Sequence, residues 1–233
     1  QGFLQGEPHP LRLGVIEQHP WLASQQRLTF SRVGRIDPLD LGDYLGHGGY
    51  RGLRRALEIG PAATVQQVID SGLRGRGGAA FPTGVKWQTV ATQQAAQRFI
   101  ACNADEGDSG TFSDRMLMEG DPFALIEGMT IAGVAVGASQ GYAYLRVEYP
   151  HACATLQASI AAAREAGYLG SDVCGSGRGF DVELRLGAGA YICGEETSML
   201  ESIEGRRGEV RVRPPLPAHK GLFNAPTVVN NVI

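Results

Sequence analysis

Three stretches of this chain set glycines beside charged and amide side chains at spacings suited to a phosphorylated ligand. The first, Gly75-Arg76-Gly77-Gly78-Ala79-Ala80-Phe81, contains the G-x-G-x-x-A pattern of dinucleotide-binding loops. Glycine leaves backbone N–H groups unhindered so that they can close on a phosphate, and Arg76 and Lys86 stand near in sequence to balance its charge. A tight turn between two elements is the plain alternative. The pattern's usual setting is a strand before and a helix after. Here a helical segment precedes, and Phe81-Pro82-Thr83-Gly84 is expected to resist an immediate helix. The loop therefore reads as a phosphate loop outside the usual strand-turn-helix context.

The second stretch, Asn103-Ala104-Asp105-Glu106-Gly107-Asp108, follows an apolar strand, where open α/β sheets gather their ligands. Its three carboxylates could bind a hard metal ion, act as acid or base, or accept hydrogen bonds from sugar hydroxyls and ring N–H groups. A solvated acidic turn is equally compatible with the composition. The third, Gly187-Ala188-Gly189-Ala190-Tyr191-Ile192-Cys193-Gly194-Glu195-Glu196-Thr197, is a strand-to-helix turn of mostly small residues. Capping of the helix N-terminus explains part of Glu195 and Glu196, but it leaves the glycines unexplained; they make room for something flat against the backbone. Near the end, Val229, Asn230 and Asn231 add two adjacent amides that donate or accept.

The elements that must carry these loops alternate. Tyr50–Leu57 and Thr64–Asp70 are predicted helices, the second with Thr64 as N-cap. Arg98–Cys102 is a predicted buried strand, and Asp121 and Pro122 are expected to cap and open an apolar helix running to Gly137. Strand Tyr142–Val147, helix His151–Ala166, strand Phe180–Leu186 and helix Glu195–Ile203 follow. Such alternation predicts an α/β fold with a largely parallel sheet. Residues 1–43, with Pro8, Pro10, Pro20, Pro38 and the apolar piece Leu11 to Ile16, read as an irregular extension or linker; 44–233 read as the folded domain. The proline-bearing tail after Arg213 reads as loop.

Composition bounds the function. A net charge of -3 makes nucleic acid and anionic membrane surfaces poor partners. No stretch reaches the roughly 20 apolar residues of a membrane helix. Cys102, Cys153, Cys174 and Cys193 are widely spaced, with no C-x-x-C pair to suggest a zinc or iron-sulfur site, so a reduced, cytoplasmic setting is expected. The 33 glycines are roughly twice the usual share of about 7%. The chain opens on Gln1 and is read as a processed or partial chain.

Taken together, GLRGRGGAAFPTGVKW, CNADEGDSGTFSDR, GAGAYICGEE and PTVVNN resemble the flavoprotein subunit shared by respiratory complex I, NAD-reducing hydrogenases and NAD-dependent molybdenum formate dehydrogenases. The resemblance implies a Rossmann-like layered domain that holds FMN and exchanges hydride with NAD(H). Carried over by position, Gly75, Arg76, Gly77, Gly78, Ala79 and Lys86 match the FMN loop, and Asn103, Asp105, Tyr191, Gly194, Val229, Asn230 and Asn231 complete its pocket. Glu106, Asp108, Glu195 and Glu196 match carboxylates around flavin and nucleotide, Glu106 and Glu196 being the ones tied to the reaction. Phe81 matches an aromatic that stacks on NADH, and the acidic groups would oppose the extra phosphate of NADP.

The chain departs from the complex I pattern at Ala80, where glycine is usual, at Asp108, where glutamate is usual, and at Thr89 and Leu216, where aromatics flank the nucleotide. The wording CNADEGDSGTFSDRMLMEGDPF is closer to the formate dehydrogenase branch. The resemblance also implies a 2Fe-2S thioredoxin-like partner subunit or domain, and an iron-sulfur/molybdenum catalytic subunit or its hydrogenase or complex I counterpart. Family members continue into ubiquitin-like and 4Fe-4S domains, whose cluster ligands none of the four cysteines here matches. Two other classes compete: a structural subunit without flavin, and a metal-dependent hydrolase using Asp105, Glu106 and Asp108, which would leave the glycines without a purpose.

Overall fold

The computed structural model describes residues 14–15 and 18–233; Pro8, Pro10 and most of the apolar piece Leu11 to Ile16 lie outside them. Two compact units are distinguished, one ending at Ser31 and one running from Arg32 to Ile233. In the first, the described residues include one helical turn, α1 (Pro20–Ala23). The second begins with α2 (Leu41–Gly46), α3 (Arg51–Ile59), α4 (Pro61–Asp70) and α5 (Thr83–Ala91). The expected boundary at residues 43 and 44 falls within α2.

An α/β layer follows: β1 (Phe99–Ala104), α6 (Ser113–Gly120), α7 (Pro122–Val136), β2 (Gln140–Leu145), α8 (Pro150–Glu165), β3 (Asp181–Leu186), α9 (Glu196–Ile203), α10 (Pro217–Lys220) and β4 (Thr227–Asn231). The four strands form a wholly parallel sheet in the order β3-β2-β1-β4. Every residue of β1 is buried, as a central strand covered on both faces requires. Phe99, Ala101, Tyr142, Tyr144 and Val229 pack with Met199, Leu200 and Ile203 of α9 on one face. Helix α7 covers the other, opened by Pro122 at its first position and closed by Gly137 with φ of 74°. The chain winds outward from β1 through β2 to β3, then returns across the sheet to β4. The direction of winding therefore reverses between β1 and β4, where such sheets open a ligand crevice at the strands' carboxyl ends.

Several predicted details are corrected. Helix α5 starts directly after Pro82, which sits at the N-cap in an extended conformation (φ −61°, ψ 117°), and Gly84 is needed for helix packing. A Cβ on Gly84 would lie 2.5 Å from the Ile69 backbone nitrogen of α4. Thr64 is not an N-cap: α4 begins three residues earlier at Pro61, and the Thr64 hydroxyl donates to the Gly60 carbonyl at 2.8 Å. Asp121 caps α7 with its main-chain carbonyl, while its buried carboxylate takes Arg32 Nε at 2.8 Å. The tail is not all loop, since Thr227–Asn231 enters the sheet beside β1. Among the described residues no helix is long and apolar enough to cross a membrane.

Candidate functional site

Asn103 is the last residue but one of β1 and pairs in register with Asn231, which ends β4, so two amides meet at the sheet's carboxyl edge. The loops after β1 and β3 and the glycine loop before α5 converge there around a cleft of about 710 Å³. That volume lies within the range of roughly 300–1,000 Å³ usual for small-molecule sites. Of the residues singled out from sequence, Arg76, Gly77, Gly78, Asn103, Asp105, Glu106, Asp108, Tyr191, Gly194, Glu195 and Asn231 line it. Gly75, Ala79, Phe81, Lys86, Glu196, Val229 and Asn230 lie outside the lining.

The glycine loop is closed at its base, where Gly75 N donates to the Phe81 carbonyl at 2.8 Å and Thr83 N to Leu73 O at 2.9 Å. Gly78 takes φ of 91°, and Ala80 takes 51°, a left-handed conformation at the position where the resemblance has glycine. Space in front of Gly78 is open, whereas a Cβ on Gly77 would meet Asn231 Oδ1 at 3.0 Å. Beneath the cleft, Lys86 Nζ donates to Val229 O at 2.6 Å and Trp87 Nε1 to Asn230 Oδ1 at 3.2 Å, tying α5 to β4. Burial pushes the Lys86 ammonium below its ordinary value, opposed by the charge of Glu196.

In the acidic loop, Asn103 Nδ2 donates to Gly194 O at 2.9 Å, joining the second loop to the third. Tyr191 joins them again: its hydroxyl donates to Asp108 Oδ1 at 2.8 Å, and a Cβ on Gly107 would lie 2.9 Å from its ring. The buried Glu106 carboxylate receives Asp114 N at 3.0 Å, Arg115 N at 3.1 Å, Ser113 Oγ at 3.3 Å and Tyr149 OH at 3.2 Å, so it caps the first turn of α6. Glu195 caps α9 in the same way, its carboxylate receiving Thr197 N and Ser198 N at 2.9 Å. Burial works against ionisation of Glu195, but the Thr197 and Ser198 bonds and the Arg213 guanidinium outweigh it and hold the carboxyl below its usual range. Among the described residues Glu196 has one ion-pair partner, Arg213 at 3.1 Å, and its carboxylate takes no backbone donor.

Thr111, Ser113, Asp114, Ile192 and Ile233 also line the cleft and were not anticipated. Asp114 could have been found only by recognising α6, whose cap lies seven residues upstream of Ser113 at Glu106. Burial, then the field of Glu106, pushes the Asp114 carboxyl up to about 7. A carboxyl raised on folding binds more protons in the folded than in the unfolded state between its two pKa values, so its effect on stability worsens as pH climbs from about 4 to 7. Asp114→Asn is expected to flatten that decline, seen as a smaller fall in melting temperature between pH 5 and pH 8 (roughly the span of the titration) than in the parent protein.

Chemically, the cleft offers free backbone N–H groups and Arg76 for a phosphate, two amides at its floor, and carboxylates for sugar hydroxyls or ring N–H groups. Among the described residues no group of three or more His, Cys, Asp or Glu is arranged to hold a metal.

The family model described as "Nuo51 FMN-binding domain" matches residues 68–233. The NADP-reducing hydrogenase protein HndC of Solidesulfovibrio fructosivorans is 50% identical over 208 residues, 89% of this chain and 42% of that protein. An NADH-quinone oxidoreductase subunit of Rhizobium meliloti (strain 1021) is 52% identical over 193 residues, 82% and 46% of the two chains. An NADH-quinone oxidoreductase subunit of Escherichia coli (strain K12) is 47% identical over 218 residues, 93% and 47%. This chain thus spans less than half the length of these curated relatives, between 42% and 47%. A chain of an NAD+-reducing NiFe hydrogenase in the H2-reduced state superposes with a TM-score of 0.71 at 42% identity, covering 82% of this chain and 32% of that one. A parallel α/β sheet, a glycine-lined cleft at the point where its winding reverses, and a family match across residues 68–233 agree: the chain belongs to the Nuo51 FMN-binding domain family.

Proposed function

We propose that this chain is the FMN- and NAD(H)-binding module of a multi-subunit oxidoreductase, exchanging hydride with the nicotinamide and electrons with iron-sulfur clusters held elsewhere in the assembly. The observation that carries the reading is the convergence of three glycine-bearing loops and the Asn103 and Asn231 amides on one cleft. FMN, when bound, supplies the hydride chemistry, and the protein binds and orients it. The donor set suits that group: Arg76 and the Gly77 and Gly78 backbone for the phosphate, the amides and Asp105 for hydroxyls and ring edges.

The carboxylates divide by what already holds them. Glu106 and Glu195 are occupied as helix caps and act by fixing their loops. Glu196 is left to meet the nucleotide, with Asp108 at the rim and exposed Phe81 available to stack. A carboxylate beside the ribose opposes a 2′-phosphate, which favours NAD over NADP. The assembly we favour is an NAD-dependent formate dehydrogenase with a 2Fe-2S thioredoxin-like partner and a molybdenum subunit, on the wording of residues 102–123; the equivalent hydrogenase or complex I subunit is the alternative, and the relatives' names support it.

Glu196→Gln tests the assignment. It is expected to raise KM for NADH roughly tenfold, the scale of one charge-assisted hydrogen bond, and to improve use of NADPH, with FMN retained. Equal loss of FMN and NADH binding would show that Glu196 serves the flavin instead.

A further inference from the structure

Glu106 is held at both ends by residues that lie outside the cleft lining. Arg146 follows β2 directly, beside the end of β1, where Ala104 pairs in register with Leu145. Its Nη1 donates to the main-chain carbonyl of Glu106. Its guanidinium lies 5.0 Å from the centre of the Tyr149 ring, and Nε meets Glu148 Oε2 at 3.3 Å. Tyr149, stacked under that guanidinium, donates its hydroxyl to Glu106 Oε2 at 3.2 Å. One bracket from the β2–α8 turn therefore grips both the backbone and the side chain of the residue at the centre of the acidic loop.

Resting on the flavin reading above, we propose that Arg146 and Tyr149 are positioning residues of the flavin site: they fix the Asp105–Asp108 loop against the cleft by clamping Glu106, and Arg146 places a fixed positive charge behind that loop. Four carboxylates, those of Asp105, Glu106, Asp108 and Asp114, line this side of the cleft. Arg146 opposes that charge: burial pushes the Asp105 carboxyl up, Arg146 works against that shift and Glu148 adds to it, and the carboxyl stays above its usual range. A cation in that position favours the more electron-rich, reduced form of any flavin bound beyond the loop. The guanidinium serves both purposes because its fork can donate to the carbonyl and to Glu148 while stacking on Tyr149.

The test uses the purified flavoprotein, stripped of FMN and titrated with FMN, followed by measurement of the flavin midpoint potential. Arg146→Gln is expected to weaken FMN binding about tenfold, the scale of one charge-assisted hydrogen bond. Its potential is expected to fall by about 30 mV, equivalent to a tenfold loss of preference for the reduced flavin. Arg146→Lys keeps the charge and loses the fork, so it is expected to restore the potential but only part of the affinity. Tyr149→Phe is expected to weaken FMN binding roughly threefold with an unchanged potential, the loss of one modest hydrogen bond. Parental affinity and potential in Arg146→Gln and Tyr149→Phe together overturn the proposal while leaving the flavin reading intact. A parent protein that takes up no FMN overturns both. Should Arg146→Gln fail to fold, parental FMN affinity in both Arg146→Lys and Tyr149→Phe overturns the proposal.

Discussion

Gly78→Val is expected to abolish FMN binding, raising the dissociation constant about 100-fold or more, roughly the scale of a clash worth two factors of ten. Gly78 lines the cleft at φ of 91° with open space where a side chain would stand, and a β-branched residue both resists that conformation and fills that space. The strain of about 1–2 kcal/mol falls on a loop and not on the core, so the FMN-free variant is expected to melt close to the parent. Unchanged FMN affinity, measured by quenching of flavin fluorescence, would show that the phosphate lies elsewhere.

The second large effect concerns the fold. Glu127, buried in the middle of α7, accepts Tyr44 OH at 2.6 Å, Tyr50 N at 2.7 Å and Leu53 N at 3.0 Å. One carboxylate thus anchors α2 and the start of α3 to the sheet-covering helix, and Tyr50 in turn stacks on Tyr168 with ring centres 3.7 Å apart. Glu127→Ala would orphan three buried donors and is expected to cost about 3–5 kcal/mol. For a domain of this size that lowers the melting temperature by roughly 10 °C. Glu127→Gln keeps an acceptor and is expected to lose about 1–2 kcal/mol. An Ala variant that melts with the parent would mean that water replaces the carboxylate.

The parts of the fold visible in the sequence are those whose signals are local. β1 is apolar through most of its length because both its faces are covered, and α7 and α8 each carry proline at the first helical position. Helix α6 gives little sign of itself because its N-terminal cap is the distant Glu106 carboxylate and only Leu117 and Met118 of its turns are buried. β4 is five residues long and preceded by prolines, so its Thr227-Val228-Val229 run blends into a loop-like tail. The cleft accounts for only part of the glycine excess: many glycines, Gly137 among them, close turns or helices at positive φ, and others admit close packing. Cβ atoms on Gly133 and Gly141 would lie 2.3 Å and 2.7 Å from the Phe180 ring, so these two glycines let an aromatic side chain fill the space between α7 and β2.

The candidate site was legible as three loops and a pair of amides, since glycine spacing and strand ends are written in the chain. Their division of labour was not, because it depends on which donors reach each carboxylate. Glu106 and Glu195 resemble Glu196 in sequence, yet the first two are occupied as caps and Glu196 takes no backbone donor among the described residues. Arg146 carries no motif at all and is seen only through its contact with the Glu106 carbonyl.

Anaerobic addition of NADH to the protein loaded with FMN, followed in the visible flavin band, bears most directly on the proposed function. The band is expected to bleach on mixing with NADH and far more slowly with NADPH. A protein that stays colourless when FMN is supplied, or a bound flavin that stays oxidised under NADH, would contradict it.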